Sequence, residues 1–267
     1  MKKTVALICV ILMTLTYVGY VQAVGGVKKK RVRPYHYGRV MIDNYSTSVG
    51  LAPVAFDHWM HRAVATCRVC HVDIGFAMEA NGTGVRATDN IRGYFCGTCH
   101  NGKVRFADKP LFKACSKESS DQAIAECQRC HNNGETPNLE EKFYAFSASL
   151  PKTRQGNGID WEQAAAKGLI APVDYIDGLS VPGPELAEID DFALESKIEG
   201  MPDIIFSHAK HTVWNGCEVC HPDIFLGVRK GATTYSMIEL FQGKYCGVCH
   251  DTVAFPQTDC QRCHTKL

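Results

Sequence analysis

Six copies of Cys-x-x-Cys-His dominate this chain, and nothing else in it constrains folding so strongly. They are Cys67/Cys70/His71, Cys96/Cys99/His100, Cys127/Cys130/His131, Cys217/Cys220/His221, Cys246/Cys249/His250 and Cys260/Cys263/His264. Together they use 12 of the 14 cysteines and six of the 11 histidines, where chance at this composition gives about 0.03 copies. Two thiols three positions apart can each form a thioether to one haem vinyl group. The adjacent imidazole then lies under the ring and binds the iron from its proximal face. The spacing therefore predicts six haem c groups, with His71, His100, His131, His221, His250 and His264 as proximal ligands. Two other uses of cysteine compete with this reading. Paired C-x-x-C units bind zinc, but a zinc site does not need His directly after every second Cys. A disulfide framework needs no His at all.

Charge and composition narrow the function classes. The chain has 267 residues, 45% hydrophobic and 21% charged, with 29 Lys+Arg against 28 Asp+Glu. That balance removes the usual argument for a nucleic-acid binder, and the charged fraction is too ordinary for wholesale disorder. Lys2 and Lys3 precede an apolar run from Thr4 to about Val21, followed by Gln22 and Ala23. This reads as a secretory signal peptide over 1–23, cleaved after Ala23, and so as an exported protein. An uncleaved membrane anchor is the alternative. Export fits the motifs, because in bacteria haem c is attached outside the cytoplasmic membrane. No Gly-rich nucleotide loop and no Ser/His/Asp constellation stands out.

The motifs fall into two groups of three, offset by 150 residues. Phe56, His58, His61, Cys67, Val69, Cys70, His71, Asp73 and Ile74 recur as Phe206, His208, His211, Cys217, Val219, Cys220, His221, Asp223 and Ile224. Gly93, Cys96, Gly97, Cys99 and His100 recur as Gly243, Cys246, Gly247, Cys249 and His250. The third motif is Cys-Gln-Arg-Cys-His both times. It follows 31 residues after His100 but only 14 after His250, a 17-residue insertion that contains Cys115. Self-similarity at a fixed offset signals duplicated units. The expected organisation is a basic lead-in over 24–51, a triheme unit over 52–131, a linker over 132–200 and a second triheme unit over 201–267. Each unit is too small for an ordinary core, so the haems themselves fill much of the interior and the apoprotein is expected to be largely unfolded. The predicted fold is mainly α, with short helices, much irregular structure and little or no sheet.

Outside the motifs stand His36, His58, His61, His208 and His211. His58/His61 and His208/His211 are spaced i, i+3, so each pair shares a face if helical. Each iron needs one more ligand, so each pair most simply serves two different haems. Plain surface histidines are the alternative.

On F-x-H-x-x-H, then C-x-x-C-H, then G-x-x-C-G-x-C-H, then a final C-x-x-C-H, the chain resembles the cytochrome c7 triheme domain, a shortened relative of cytochrome c3. The resemblance covers about 52–131 and 201–267. It implies that His58 faces the haem of His71 and His61 that of His100, with His208 facing the haem of His221 and His211 that of His250. The chain departs from the family at the third haem of each unit. Where the family has a distal His just before the Gly of G-x-x-C-G, this chain has Arg92 and Gln242. Met237 is the candidate for the haem of His264, with a core methionine as its alternative, and its counterpart in the first unit is Ala87. For the haem of His131 the candidates are His36 and Met78, a ligand from a partner molecule, or an open iron.

The remaining segments carry weaker signals. Lys28, Lys29, Lys30, Arg31 and Arg33 form a solvated basic tail or a docking surface for an acidic partner. Asp160 reads as the N-cap of a helix beginning at Trp161. The stretch from Glu185 to Asp203 is acidic, with Lys197 opposing, and is read as a solvated face. The 132–200 segment is too long for a simple tether and is expected to wrap along the haem units, holding them end to end. Cys115 is expected to be buried. Arg68, Arg129 and Arg262, inside or beside motifs, are candidates to offset haem propionates.

A bis-His iron has no vacant position, so it passes electrons and does little else. The expected function is single-electron transfer along six closely packed haems, as a carrier and not an enzyme. The family resemblance implies respiratory exchange with other redox proteins, from a membrane quinol-oxidising donor to an outer-membrane conduit or extracellular acceptor. Periplasm and cell exterior both fit the export signal. Two rivals remain: a multihaem reductase with an open iron, and a self-associating subunit of a conductive extracellular filament.

Overall fold

The strand that carries the start of each F-x-H-x-x-H is the organising element of each half. In the computed structural model, which describes residues 31–106, 109–116, 121–181, 189–196, 198–227 and 229–266, β1 (Arg39–Ile42) pairs antiparallel with β2 (Val54–Asp57), placing Val40 opposite Phe56. The other edge of β2 meets the third motif: Val54 bridges to His131, and the Ala55 N–H donates to the Cys130 carbonyl at 3.0 Å. A hairpin follows, β3 (Arg105–Phe106) with β4 (Lys109–Pro110). The second half repeats the first arrangement. β5 (Phe192–Leu194) pairs with β6 (Asp203–Phe206), which pairs with β7 (His264–Lys266). Phe192 lies opposite Phe206, and the Ile205 N–H donates to the Cys263 carbonyl at 3.3 Å. The sheets are few and short, as the sequence reading expects. In each half they join the strand that leads into the helix of F-x-H-x-x-H to the third motif through backbone hydrogen bonds.

The helices are short. His58–Arg62 and His208–Asn215 begin directly after β2 and β6, and the Ser207 side chain caps the second by accepting from the Lys210 N–H. Ala87–Ile91 and Met237–Phe241 precede the second motif of each half. Each ends at a left-handed glycine, Gly93 (φ +92°) or Gly243 (φ +83°), which a residue with a Cβ adopts only under strain. The next glycine of the motif is required for a different reason. A Cβ on Gly97 would fall 1.9 Å from the Asn90 carbonyl oxygen, and one on Gly247 2.1 Å from that of Leu240. Helix and motif are therefore pressed together at the glycine of C-G-x-C.

Residues Arg33–Leu267 form one compact unit, and its densest apolar cluster lies where the sequence reading placed a linker. Leu139, Phe143, Leu150, Ile159, Trp161, Ala164 and Ile170 pack together with Tyr35 and Trp59. Two helices supply four of these nine residues, Leu139–Ser147 and Trp161–Ala166. The second is capped as expected, the Asp160 carboxylate accepting from the Gln163 N–H at 3.0 Å. Farther along, the segment clips onto the first motif. Val173 bridges to Ala65, and the Thr66 and Ser180 hydroxyls donate to Asp174 and Asp73, both at 2.6 Å. The signal segment, Lys28–Lys30, Glu185, Glu188 and Lys197 lie outside the described residues. Among the described residues no helix is long and apolar enough to cross a membrane.

Candidate functional site

Each F-x-H-x-x-H turns its histidines toward motif histidines. On the His58–Arg62 helix, the His61 ring faces that of His100 with centroids 6.2 Å apart, while His58 lies within electrostatic reach of His71. On the His208–Asn215 helix, His211 faces His250 at 6.4 Å, and His208 lies within reach of His221. Phe56 and Phe206 explain the aromatic of the motif. They stack on His61 and His211 at 4.3 and 4.6 Å, with ring planes 27° and 22° from parallel.

The separation of these rings has a chemical meaning. A metal–imidazole bond is about 2.0 Å long and a ring nitrogen lies about 1.1 Å from its centroid, so imidazoles on opposite faces of one iron have centroids about 6.2 Å apart. Two of the facing pairs have this spacing, and the donor set therefore fits a six-coordinate porphyrin iron.

Backbone carbonyls fix the ring orientations. The Nδ1 of His71 faces the Phe76 carbonyl at 2.9 Å, His131 that of Ala52 at 2.7 Å, His221 that of Phe225 at 2.6 Å, His250 that of Phe255 at 2.9 Å and His264 that of Pro202 at 2.7 Å. His58, His61 and His211 do the same with Gly38, Asp57 and Ser207. A ring that donates from Nδ1 presents Nε2 as its ligating nitrogen, the usual arrangement at metal-binding histidines. The His100 ring is turned to the Phe112 backbone, and among the described residues the Nδ1 of His208 has no such partner. Burial also holds these rings neutral, with His58 and His100 each pushed down to about 4 and His61, His71 and His250 lowered.

Several motif sulfurs are poorly solvated as well, though Cys127 and Cys260 are exposed. Burial pushes the Cys70, Cys96 and Cys249 thiols up to about 12, and Cys130 and Cys246 to about 11. Among the described residues no group of three or more His, Cys, Asp or Glu side chains could hold a bare metal ion, and the described cysteines form no disulfide.

The sulfurs of different motifs neighbour one another in an unbroken series. Cys130 lies within electrostatic reach of Cys96, and Cys96 and Cys99 within reach of Cys70. In the second half Cys263 neighbours Cys246, which neighbours Cys220. The halves meet where Cys67 neighbours both Cys220 and Cys249.

The three additional distal candidates are placed differently. His36 stacks edge-on against Tyr35 at 4.5 Å, and its electrostatic neighbours are Arg33, Arg39, Asp57 and Glu140, with no motif histidine among them. Met78 is exposed in the loop after the first motif, and Met237 is the first residue of its helix, directly after the capping Ser236. Cys115 is half-buried, not buried. The Asn90 amide donates to its sulfur at 3.8 Å, and Cys96, Cys127 and Cys130 are its neighbours. The three arginines proposed to face propionates already engage carboxylates. Arg68 pairs with Asp73 and Glu218, Arg129 with Glu126 and Arg262 with Asp259.

One correspondence escaped the sequence reading. Phe112 packs on His100 at 4.4 Å beneath Arg129, as Phe255 packs on His250 at 4.4 Å beneath Arg262. Phe112 lies 12 residues after His100 and Phe255 five after His250, so the 17-residue insertion divides into seven residues before this phenylalanine and ten after it. The repeated Arg of Cys-Gln-Arg-Cys-His was the available signal, but its aromatic partner moves in register.

The family model described as cytochrome c7 and related cytochrome c matches residues 54–137 and 204–265. Among solved structures, the C-terminal hexaheme fragment of GSU1996 is 24% identical, covers 85% of this chain and 97% of its own, and has a TM-score of 0.26. The N-terminal hexaheme fragment of GSU1996 is 20% identical over 86% and 99%, with a TM-score of 0.25. The dodecaheme cytochrome c GSU1996 is 23% identical over 89% and 76%, with a TM-score of 0.26. No curated protein matches this chain.

Proposed function

This chain belongs to the cytochrome c7 and related cytochrome c family, multihaem c-type cytochromes that carry electrons, and from that premise we propose an exported hexahaem carrier through which single electrons pass along all six motifs. Bound haem supplies reversible one-electron exchange at its iron. The rest is the work of this chain's residues. The cysteine pairs would mount each ring, and the six motif histidines would hold its iron. His58, His61, His208 and His211 would supply the second ligand for four of them. The carbonyls of Gly38, Asp57 and Ser207 keep three of these distal rings turned for ligation.

The observation that carries this reading is the continuous series of neighbouring sulfurs from Cys130 to Cys263, which leaves no motif isolated. Bis-His ligation of four irons would leave them no vacant position of the kind substrate chemistry needs, which favours a carrier over a reductase. The partners are other redox proteins, a membrane quinol-oxidising donor and an outer-membrane or extracellular acceptor, with the periplasm as the working compartment.

Expression in a host that attaches haem c, followed by a pyridine haemochrome count and low-temperature EPR, tests the proposal. The expected result is six haems per chain, with at least four low-spin irons. A colourless product, or one carrying zinc, overturns it.

A further inference from the structure

The contact at which the two halves meet is not part of the repeat. At the 150-residue offset Arg62 corresponds to Thr212 and Trp214 to Val64, while Trp161 comes from the connecting segment. These three side chains form a sandwich. The Arg62 guanidinium carbon lies 4.7 Å from the Trp161 ring centroid and 5.0 Å from that of Trp214. One terminal nitrogen donates to the Val253 carbonyl at 3.1 Å. The Nε is sealed from solvent and finds no acceptor among the described residues. The electrostatic neighbours of the guanidinium include the Cys67 and Cys249 sulfurs, the Tyr37 hydroxyl and the His58 ring, none of them a carboxylate.

Two other arginines with well-covered side chains do have anionic partners. Arg39 pairs with Asp57 at 2.8 Å and Arg68 with Asp73 at 3.1 Å. A guanidinium keeps its charge across the ordinary pH range. A cation with little water and no carboxylate partner among the described residues costs free energy, of which two indole faces offset only part. A charge of this kind, set between two motif sulfurs of different halves, acts on whatever those sulfurs carry.

We propose that Arg62 raises the reduction potentials of the haems mounted on Cys67 and Cys249, and so makes that pair the crossing point for electrons between the two halves. This inference rests on the hexahaem reading. Reduction removes one positive charge from an iron, so a fixed cation nearby favours the reduced state, most strongly at the sites closest to it. Raising both potentials together keeps the step between them level. That step moves one electron from a ferrous to a ferric iron and transfers no proton and no bond. Arg62 touches neither iron in this scheme and acts as a positioning charge.

The test is a potentiometric titration of the holoprotein followed by visible absorption, for the wild type, Arg62→Gln and Arg62→Lys. Haem is counted first. A wild type without haem overturns the hexahaem reading, whereas every later outcome bears on Arg62 alone. Arg62→Gln should move two components to lower potential and leave the others in place, and Arg62→Lys, which keeps the charge, should restore the wild-type curve. An Arg62→Gln curve that is unchanged, or in which all components shift together, overturns the proposal. Should Arg62→Gln fail to mature, Arg62→Met is titrated in its place. The same pair moved to lower potential supports the role of charge, and an unchanged curve overturns it.

Discussion

The imidazoles of His61 and His100 face each other with ring centroids 6.2 Å apart and planes inclined by 64°. In the proposed ligand set, this pair would hold one iron. Removing the distal ring should leave one iron five-coordinate. His61→Ala is expected to convert one low-spin EPR signal to high spin with haem content unchanged, and His211→Ala to do the same in the other half. Spectra identical to wild type in both variants would remove these residues from the ligand set.

The close approach at C-G-x-C predicts intolerance of a single methyl group. Gly97→Ala places a Cβ against the Asn90 carbonyl and Gly247→Ala against that of Leu240, and neither neighbour can swing aside, since both are backbone. Each substitution should cost more than the about 1–3 kcal/mol of ordinary overpacking. Thermal melts of the holoprotein, followed by circular dichroism, measure this. Gly93→Ala, which meets no atom but forces a residue with a Cβ to positive φ, should cost less, about 1 kcal/mol.

Phe56 and Phe206 stack on the imidazoles proposed as distal ligands, His61 and His211. Phe56→Leu keeps apolar volume but loses the ring pair, worth about 0.5–1.5 kcal/mol. The expected outcome is a small drop in stability together with an altered EPR line for one low-spin iron, because the imidazole plane is released. A drop in stability with all lines unchanged would leave Phe56 a packing residue only.

The connecting segment supports the structure on its own account. Phe143 is 2% exposed and packs edge-on against Trp59 at 5.2 Å. Phe143→Ala should cost about 3–5 kcal/mol, read as a lowered melting temperature. A cost near zero would mean that the cluster contributes little once haem is attached.

Acid should weaken the fold in a defined window. Burial holds His58 and His100 at about 4, against an ordinary value of 6.5. Below 6.5 the unfolded chain takes up protons that the folded one refuses, so the stability is full above 6.5 and is lost as pH falls toward 4. Iron coordination acts in the same direction, since only the neutral ring ligates. The melting temperature of the holoprotein should be level above pH 7 and fall between pH 6.5 and 4, and a curve that is flat through that range would contradict this.

Family membership was legible before any fold was known, because the attachment chemistry is written within five consecutive residues and the 150-residue repeat aligns it. Local geometry was legible for the same reason. The i, i+3 histidines lie on the His58–Arg62 and His208–Asn215 helices, and Asp160 caps the helix that follows it. Signals of this kind depend on near neighbours in the chain, and such neighbours are held together whatever the rest of the molecule does.

Tertiary structure alone decided the rest. β1 and β5 are too short to show a period of two, and they become strands by pairing with β2 and β6. The insertion hid the equivalence of Phe112 and Phe255, which only their shared packing on a motif histidine exposes. The segment from Leu139 to Ile170 has no motif, yet it forms the main apolar cluster, because burial depends on what surrounds a side chain and not on its place in the chain. Arg62 is the clearest case. Its neighbours Trp161, Trp214 and Val253 lie about a hundred or more residues away, so its setting exists only once the two halves have come together.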